Sequence, residues 1–178
     1  CEMLCSTEAM YGNDYVDSFS HLAVSWLTLK GETGDPRDVV ICGNRSNRIV
    51  YMWLGTLEGV TISNGYASVD KTINGFRIAK AGAGVASRTM MSMVKDCIVT
   101  DCEALGSGGA LHNCQAKDTV VERCKAGVHG GGVNCVNPFD GGEIRNCTAS
   151  KSGGGSVDSS LFGTIVSNNV CSGSGGGV

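Results

Sequence analysis

Proline is nearly missing from this chain, with 2 in 178 residues beside 27 glycines. That ratio, without a strict three-residue period, excludes a collagen-like helix and a proline-rich linker. Aromatic residues are scarce, at 6%, so the interior has to be lined by small and β-branched side chains. An excess of one charge is lacking too. There are 14 basic and 17 acidic residues, a net charge of −3, and no basic stripe of the kind that follows a phosphate backbone. Nucleic acid is therefore not an expected partner. No apolar run approaches the roughly 18 residues of a spanning helix, so no membrane-spanning segment is expected. The chain opens on Cys1 without a signal-peptide pattern. That reads as a fragment of a longer chain, or as a mature chain whose export signal has been removed.

Ten cysteines are present, but none of their spacings is C-x₂-C and the three histidines are scattered. A zinc site is not expected, and no cofactor is. The cysteines belong instead to a repeat. Ile98–Leu111, Val120–Val133, Glu143–Val157 and Thr164–Val178 align without gaps in their first halves. Cys102, Cys124, Cys147 and Asn169 follow one another at 22, 23 and 22 residues. Val99, Val121, Ile144 and Val166 sit three residues before that position, and Ala104, Ala126, Ala149 and Cys171 two after it. Each copy ends in a glycine pair or triplet. A fifth copy, Val60–Ala67, places Ile62 at the β-branched position, Gly65 at the cysteine position and Ala67 at the small one.

A repeat of 22–23 residues with β-branched runs of three to five residues is strand material, too short for helices. One such unit cannot bury its apolar side; stacked units can, at a strand spacing of about 4.8 Å. The expected fold is all-β, a right-handed parallel β-helix. Its inward ladders would be the Val/Ile and Ala series, with glycine corners at positive φ. In the first half, Trp26–Lys30, Asp38–Cys42, Arg48–Met52 and Thr56–Ile62 read as four strand runs. Residues 1–21 carry no period and read as a cap, with the β-helix over 22–178. An insertion around 68–96 interrupts the repeat, and in solenoids insertions fall on one face and often carry function.

The opening LTLKGETGDPRDVVICGNRSNRIVYMWLGTLEGVTISNGYA resembles the first rungs of bacterial right-handed β-helix proteins of the pectate-lyase-like superfamily. The rungs VKDCIVTDCEALGSGGAL and GGEIRNCTASKSGGGSV resemble the same family, and also the repeats of polymorphic outer-membrane proteins. The resemblance covers roughly Ser25 to Val178. It implies a secreted or cell-surface bacterial protein, and it brings either polysaccharide lyase or hydrolase activity or no catalysis.

The candidate residues are few. The stacked cysteines read as reduced, buried thiols; Cys1 with Cys5, or Cys114 with Cys135, are the better placed pairs if any disulfide forms. His129 reads as an exposed turn residue at the position of Ser107 and Ser152. Asp101 shares its position with Arg123, Asn146 and Asn168, which reads as a solvated face. Asn44-Arg-Ser46 and Asn146-Cys-Thr148 fit the glycosylation sequon. For ligand binding the best basic residues are Arg77, Lys80, Arg88 and Lys95, in and after the insertion. Trp26, Tyr51 and Trp53 form the only aromatic set, and alternation is expected to bury at least one. No catalytic residue and no metal ligand is assigned. The expected function is a monomeric, non-catalytic, adhesin-like or stalk segment displaying loops, with a polysaccharide or cell-surface glycan as partner. A polysaccharide lyase or hydrolase, and a carbohydrate-binding module, are the alternatives.

Overall fold

The computed structural model describes residues 20–178 apart from 74 and 75. The described residues wind through six turns of a parallel β-helix that pass through the same sheets in the same order, except that the first has no strand in the fourth sheet. Sheet A stacks Ser20–Ser25, Arg48–Trp53, Val85–Ser87, Leu111–His112, Val133–Asn134 and Ser156–Val157. Sheet B stacks Thr28–Lys30, Thr56–Glu58, Met93–Lys95, Gln115–Lys117, Phe139–Asp140 and Leu161–Phe162. Sheet C holds Val40–Cys42, Thr61–Ser63, Ile98–Thr100, Val120–Glu122, Glu143–Arg145 and Ile165–Ser167. Sheet D, with two-residue strands, holds Tyr66–Ala67, Glu103–Ala104, Lys125–Ala126, Thr148–Ala149 and Val170–Cys171.

Register follows the repeat. In sheet C, Ile41, Ile62, Val99, Val121, Ile144 and Val166 are direct partners from turn to turn. In sheet D, Ala67, Ala104, Ala126, Ala149 and Cys171 are. Both expected inward ladders are therefore present, and their middle members are buried. Sheet B adds Leu29, Leu57, Val94, Ala116, Phe139 and Leu161. There Phe139, the largest fully buried side chain, lies beside Ala116, so a large residue fills the space a small neighbour leaves.

Three readings of the sequence change. Thr56–Ile62 is two strands in two sheets, not one run, because Gly59 turns the chain at φ +64°. Asp101, Arg123, Asn146 and Asn168 are more than a solvated face: each has φ near +54° and forms the corner between sheets C and D. The glycine runs do not all need positive φ. Gly108, Gly130, Gly153 and Gly175 have it; the glycines that follow them are required for another reason. A Cβ on Gly109, Gly131 or Gly154 would press into the carbonyl of Gly131, Gly154 or Gly176 in the next turn.

Most of the extra length falls in one turn, with a smaller excess in the first, where Thr28 and its partner Thr56 are 28 residues apart. Thr61 to its partner Ile98 spans 37 residues, whereas Ile98 to Val120 spans 22. The segment expected as an insertion over 68–96 resolves into two pieces. The first carries an antiparallel hairpin, Lys71–Ile73 with Phe76–Ile78. The second is a short loop, 88–91, between Val85–Ser87 of sheet A and Met93–Lys95 of sheet B. Val85–Ser87 and Met93–Lys95 are themselves regular ladder strands. Of the expected cap, residues 1–19 lie outside the described residues and the first strand starts at Ser20.

Candidate ligand-binding corner

The corner between sheets A and B carries tryptophans in the first two turns and a loop, 88–91, in the third. In sheet A, Val50 and Met52 face the core, so Tyr51 and Trp53, which alternate with them, face outward and are half-buried. One turn earlier, Trp26 sits at the corner with φ +58° and is 72% exposed. The expectation that alternation buries one of the three aromatics is thus corrected: all three lie outside. The Trp26 amide donates to the Trp53 carbonyl at 3.1 Å, which fixes the two tryptophan backbones on adjacent turns.

One turn later the 88–91 loop reaches the same corner. Its base is fastened by a pair of buried serines. The Ser87 hydroxyl lies 2.7 Å from that of Ser92, 3.1 Å from the Met52 carbonyl and 2.8 Å from the Thr89 carbonyl, while Ser92 Oγ accepts from the Leu54 amide at 3.1 Å. The loop carries Arg88 onto the Trp53 ring, with the guanidinium carbon 4.2 Å from the centroid, a cation–π contact. It also presents Met90 and Met91, 45% and 72% exposed. Leu27, 41% exposed, completes the patch in the first turn. Exposed Trp26 and Met91 beside the half-buried Trp53 and Arg88 are residue types enriched in recognition surfaces.

The hairpin is anchored separately. Arg48, only 3% exposed, donates from Nε to the Gly82 carbonyl at 3.1 Å and from Nη2 to the carbonyls of Ala81 at 2.9 Å and Ala79. Its guanidinium also lies 5.8 Å from the Tyr51 ring centroid. Asp70 accepts from the Lys80 amide at 2.9 Å and pairs with its Nζ at 3.8 Å, closing the hairpin's base.

The four basic residues singled out from the sequence are therefore dispersed. Arg88 is at the corner. Lys80 is tied to Asp70. Arg77 lies on the second hairpin strand opposite Thr72, and its side chain is outside the described residues. Lys95 stands on the outer face of sheet B, 3.3 Å from Glu58 and 3.4 Å from Asp96. Hydrogen bonds from Lys30 and Lys95 hold the Glu58 carboxyl below its usual range. The acidic residues on the outside of sheet C are similarly engaged. Arg123 bridges Asp101 and Glu122 at 3.0 and 2.6 Å, and Arg145 reaches Glu122 at 2.9 Å and also pairs with Glu143. For Asp101, burial raises the carboxyl, but hydrogen bonds from Arg123 and Thr100 more than offset it and the net shift is downward.

His129 bridges to Ser152, as its place in the repeat implied, but it is half-buried with an enclosed Nδ1, not an exposed turn residue. His112, on the outer face of sheet A, is held below its ordinary pKa by burial. Cys114 and Cys135 are both unbridged, and so are Cys42, Cys97, Cys102, Cys124, Cys147 and Cys171. Cys1 and Cys5 lie outside the described residues. Burial pushes the Cys97 and Cys114 thiols up to about 11 and about 12, respectively, where they act as small apolar groups. Among the described residues no cluster of three or more His, Cys, Asp or Glu is arranged to hold a metal, and no helix is long and apolar enough to cross a membrane.

Met90, Met91 and the Arg88–Trp53 contact were not read from the sequence. The only signal was indirect: two methionines in a row beside an arginine, within a stretch that breaks the repeat. No protein-family model, no curated protein and no solved structure matches this chain.

Proposed function

We propose that this chain is a non-catalytic, adhesin-like display solenoid that binds a polysaccharide or cell-surface glycan at the A–B corner of its first three turns. The observation that supports it is the convergence of Trp26, Trp53, Arg88 and Met91 at that corner. Trp26 offers an open aromatic face for a sugar ring, and the Arg88 guanidinium beside Trp53 offers donors to hydroxyl or carboxylate oxygens. The rigid ladders behind the corner hold these groups in place, which lowers the ordering cost of binding. The resemblance to pectate-lyase-like and polymorphic outer-membrane proteins supports a secreted or cell-surface bacterial setting. A lyase reading has less support, because the carboxylates on the outside of sheet C are committed to arginines rather than open to a cation.

A glycan array probed with the purified chain, alongside Trp26→Ala and Arg88→Ala variants, tests the reading. Binding to a defined set of glycans is expected, weakened about tenfold or more in either variant, since truncating an anchor costs 1–2 kcal/mol or more. Glycan binding that both variants retain in full would overturn the assignment of the corner. Absence of binding across the array would remove the glycan.

A further inference from the structure

Cys102, Cys124 and Cys147 form a column of thiols inside the solenoid. Their register is fixed from both sides. Thr100 pairs with Glu122 and Glu103 with Lys125, so Cys102 lies against Cys124. Glu122 pairs with Arg145 and Lys125 with Thr148, so Cys124 lies against Cys147. The three side chains adopt the same orientation. Each thiol donates to the carbonyl two residues before it: Cys102 to Thr100 at 3.3 Å, Cys124 to Glu122 at 3.2 Å, Cys147 to Arg145 at 3.3 Å. Neighbouring strands are about 4.8 Å apart, and Cα separations of about 4.4–6.8 Å are those a disulfide spans. The Cys124 thiol interacts with both neighbours.

The two neighbours of Cys124 differ. Cys102 Sγ accepts a hydrogen bond from the Gly65 amide at 3.4 Å, which holds it toward the preceding turn. Cys147 has its amide fixed by Asn169 Oδ1 at 2.8 Å, and its thiol lies against that of Cys124 in the adjacent turn. The neighbouring Cys124 thiol lowers that of Cys147, whereas burial raises Cys124 well above its ordinary value. Cys147 is therefore the thiol whose anion is supported, and an anionic sulfur is the attacking species in thiol–disulfide exchange.

We infer that Cys124 and Cys147 are a modification site: a reversible cross-turn disulfide, with a low-molecular-weight disulfide such as oxidised glutathione as oxidant. The Cys147 thiolate attacks one sulfur of the oxidant when the turns part locally. This forms a mixed disulfide and expels one thiolate, which takes up the proton Cys147 lost. Cys124, deprotonated in turn, attacks Cys147 Sγ and expels the second thiolate, which takes up the Cys124 proton. Two protein thiols become one disulfide and the oxidant becomes two thiols. With three sulfurs in the column, one bridge forms and Cys102 stays reduced. The bridge adds a covalent tie between two turns otherwise joined by stacking, backbone hydrogen bonds and the Arg145–Glu122 ion pair.

The reduced chain is incubated with oxidised glutathione, then unfolded in N-ethylmaleimide, digested without reduction and mapped by mass spectrometry. A Cys124–Cys147 linked peptide with Cys102 fully alkylated is expected. So is a thermal midpoint several degrees above that of the reduced chain, reversed by reductant. In Cys124→Ser the reaction should stop at a glutathione adduct on Cys147. The inference is overturned if all three thiols remain alkylatable after the half-buried Cys42 and Cys171 have reacted. A glutathione adduct on Cys147 of the unsubstituted chain with no bridge, or a bridge between Cys102 and Cys124, would overturn it equally. The wild-type map decides the matter even if the serine variant does not fold.

Discussion

A methyl group added at Gly131 would point into the carbonyl of Gly154 in the next turn, with the Thr148 carbonyl behind it. Both obstacles are backbone atoms of a hydrogen-bonded ladder, so neither can move without the turn moving. Gly163 is a different kind of glycine. Its φ is +59° and nothing lies within 4 Å of where a Cβ would be. Its place at the B–C corner is taken by Asp96 and Asp118 in other turns, also at positive φ, and Asn and Asp tolerate that conformation. Gly131→Ala is therefore expected to cost about 3 kcal/mol or more, and Gly163→Asn to stay within about 0.5 kcal/mol of wild type. Urea denaturation of the two variants checks the contrast. Equal costs would show that the close approach at Gly131 does not limit the spacing of the turns.

The segment that follows the hairpin is held by a side chain from sheet A. Arg48 enters from sheet A and gives hydrogen bonds to three carbonyls of the segment that returns the chain to the ladder. Replacing it with methionine keeps much of the buried volume but leaves those carbonyls without their donor. A loss of about 2–3 kcal/mol is expected for buried acceptors stripped of a charged partner. Hydrogen exchange should localise the effect: faster exchange at residues 79–84, with the ladders of turns four to six unchanged. Exchange that rises uniformly over the whole chain would instead make Arg48 a part of the global core. Arg88 acts on the other protrusion by a different contact, stacked on Trp53, so the two loops are expected to respond independently.

At the scale of the molecule, each turn touches only the turns on either side, and the stability of such an array is close to a sum of neighbour terms. Removing one complete turn should leave a foldable chain. Deleting Val133–Gly155 takes out 23 residues together with Phe139. It brings Ser156 against Leu111 in sheet A, Leu161 against Ala116 in sheet B and Val166 against Val121 in sheet C, positions each already equivalent in the ladder. The expected product keeps a cooperative thermal transition at a lower midpoint. Deleting only Val133–Ile144 would misalign every later position and is expected to abolish the transition. Circular dichroism followed through thermal melts separates these outcomes, and a folded half-turn deletion would argue against register as the organising constraint.

The ladders were legible in the sequence because a solenoid repeats its environment. Val99, Val121 and Ile144 meet the same neighbours in three successive turns, so the same residue type recurs at 22–23-residue intervals and can be read without coordinates. The thiol column and the place of Gly65 in it followed for the same reason. The sequence by itself determined the all-β repeat, the inward positions of sheets C and D, and the turn in which the regularity breaks. What only the tertiary structure decided is what no period encodes. Gly131 needs its missing Cβ because another backbone passes close by, and that cannot be told from a need for positive φ until the turns are stacked. Trp26, Trp53 and Arg88 are 27 and 35 residues apart in sequence, and they meet because the winding of the chain brings each to the same corner one turn after another.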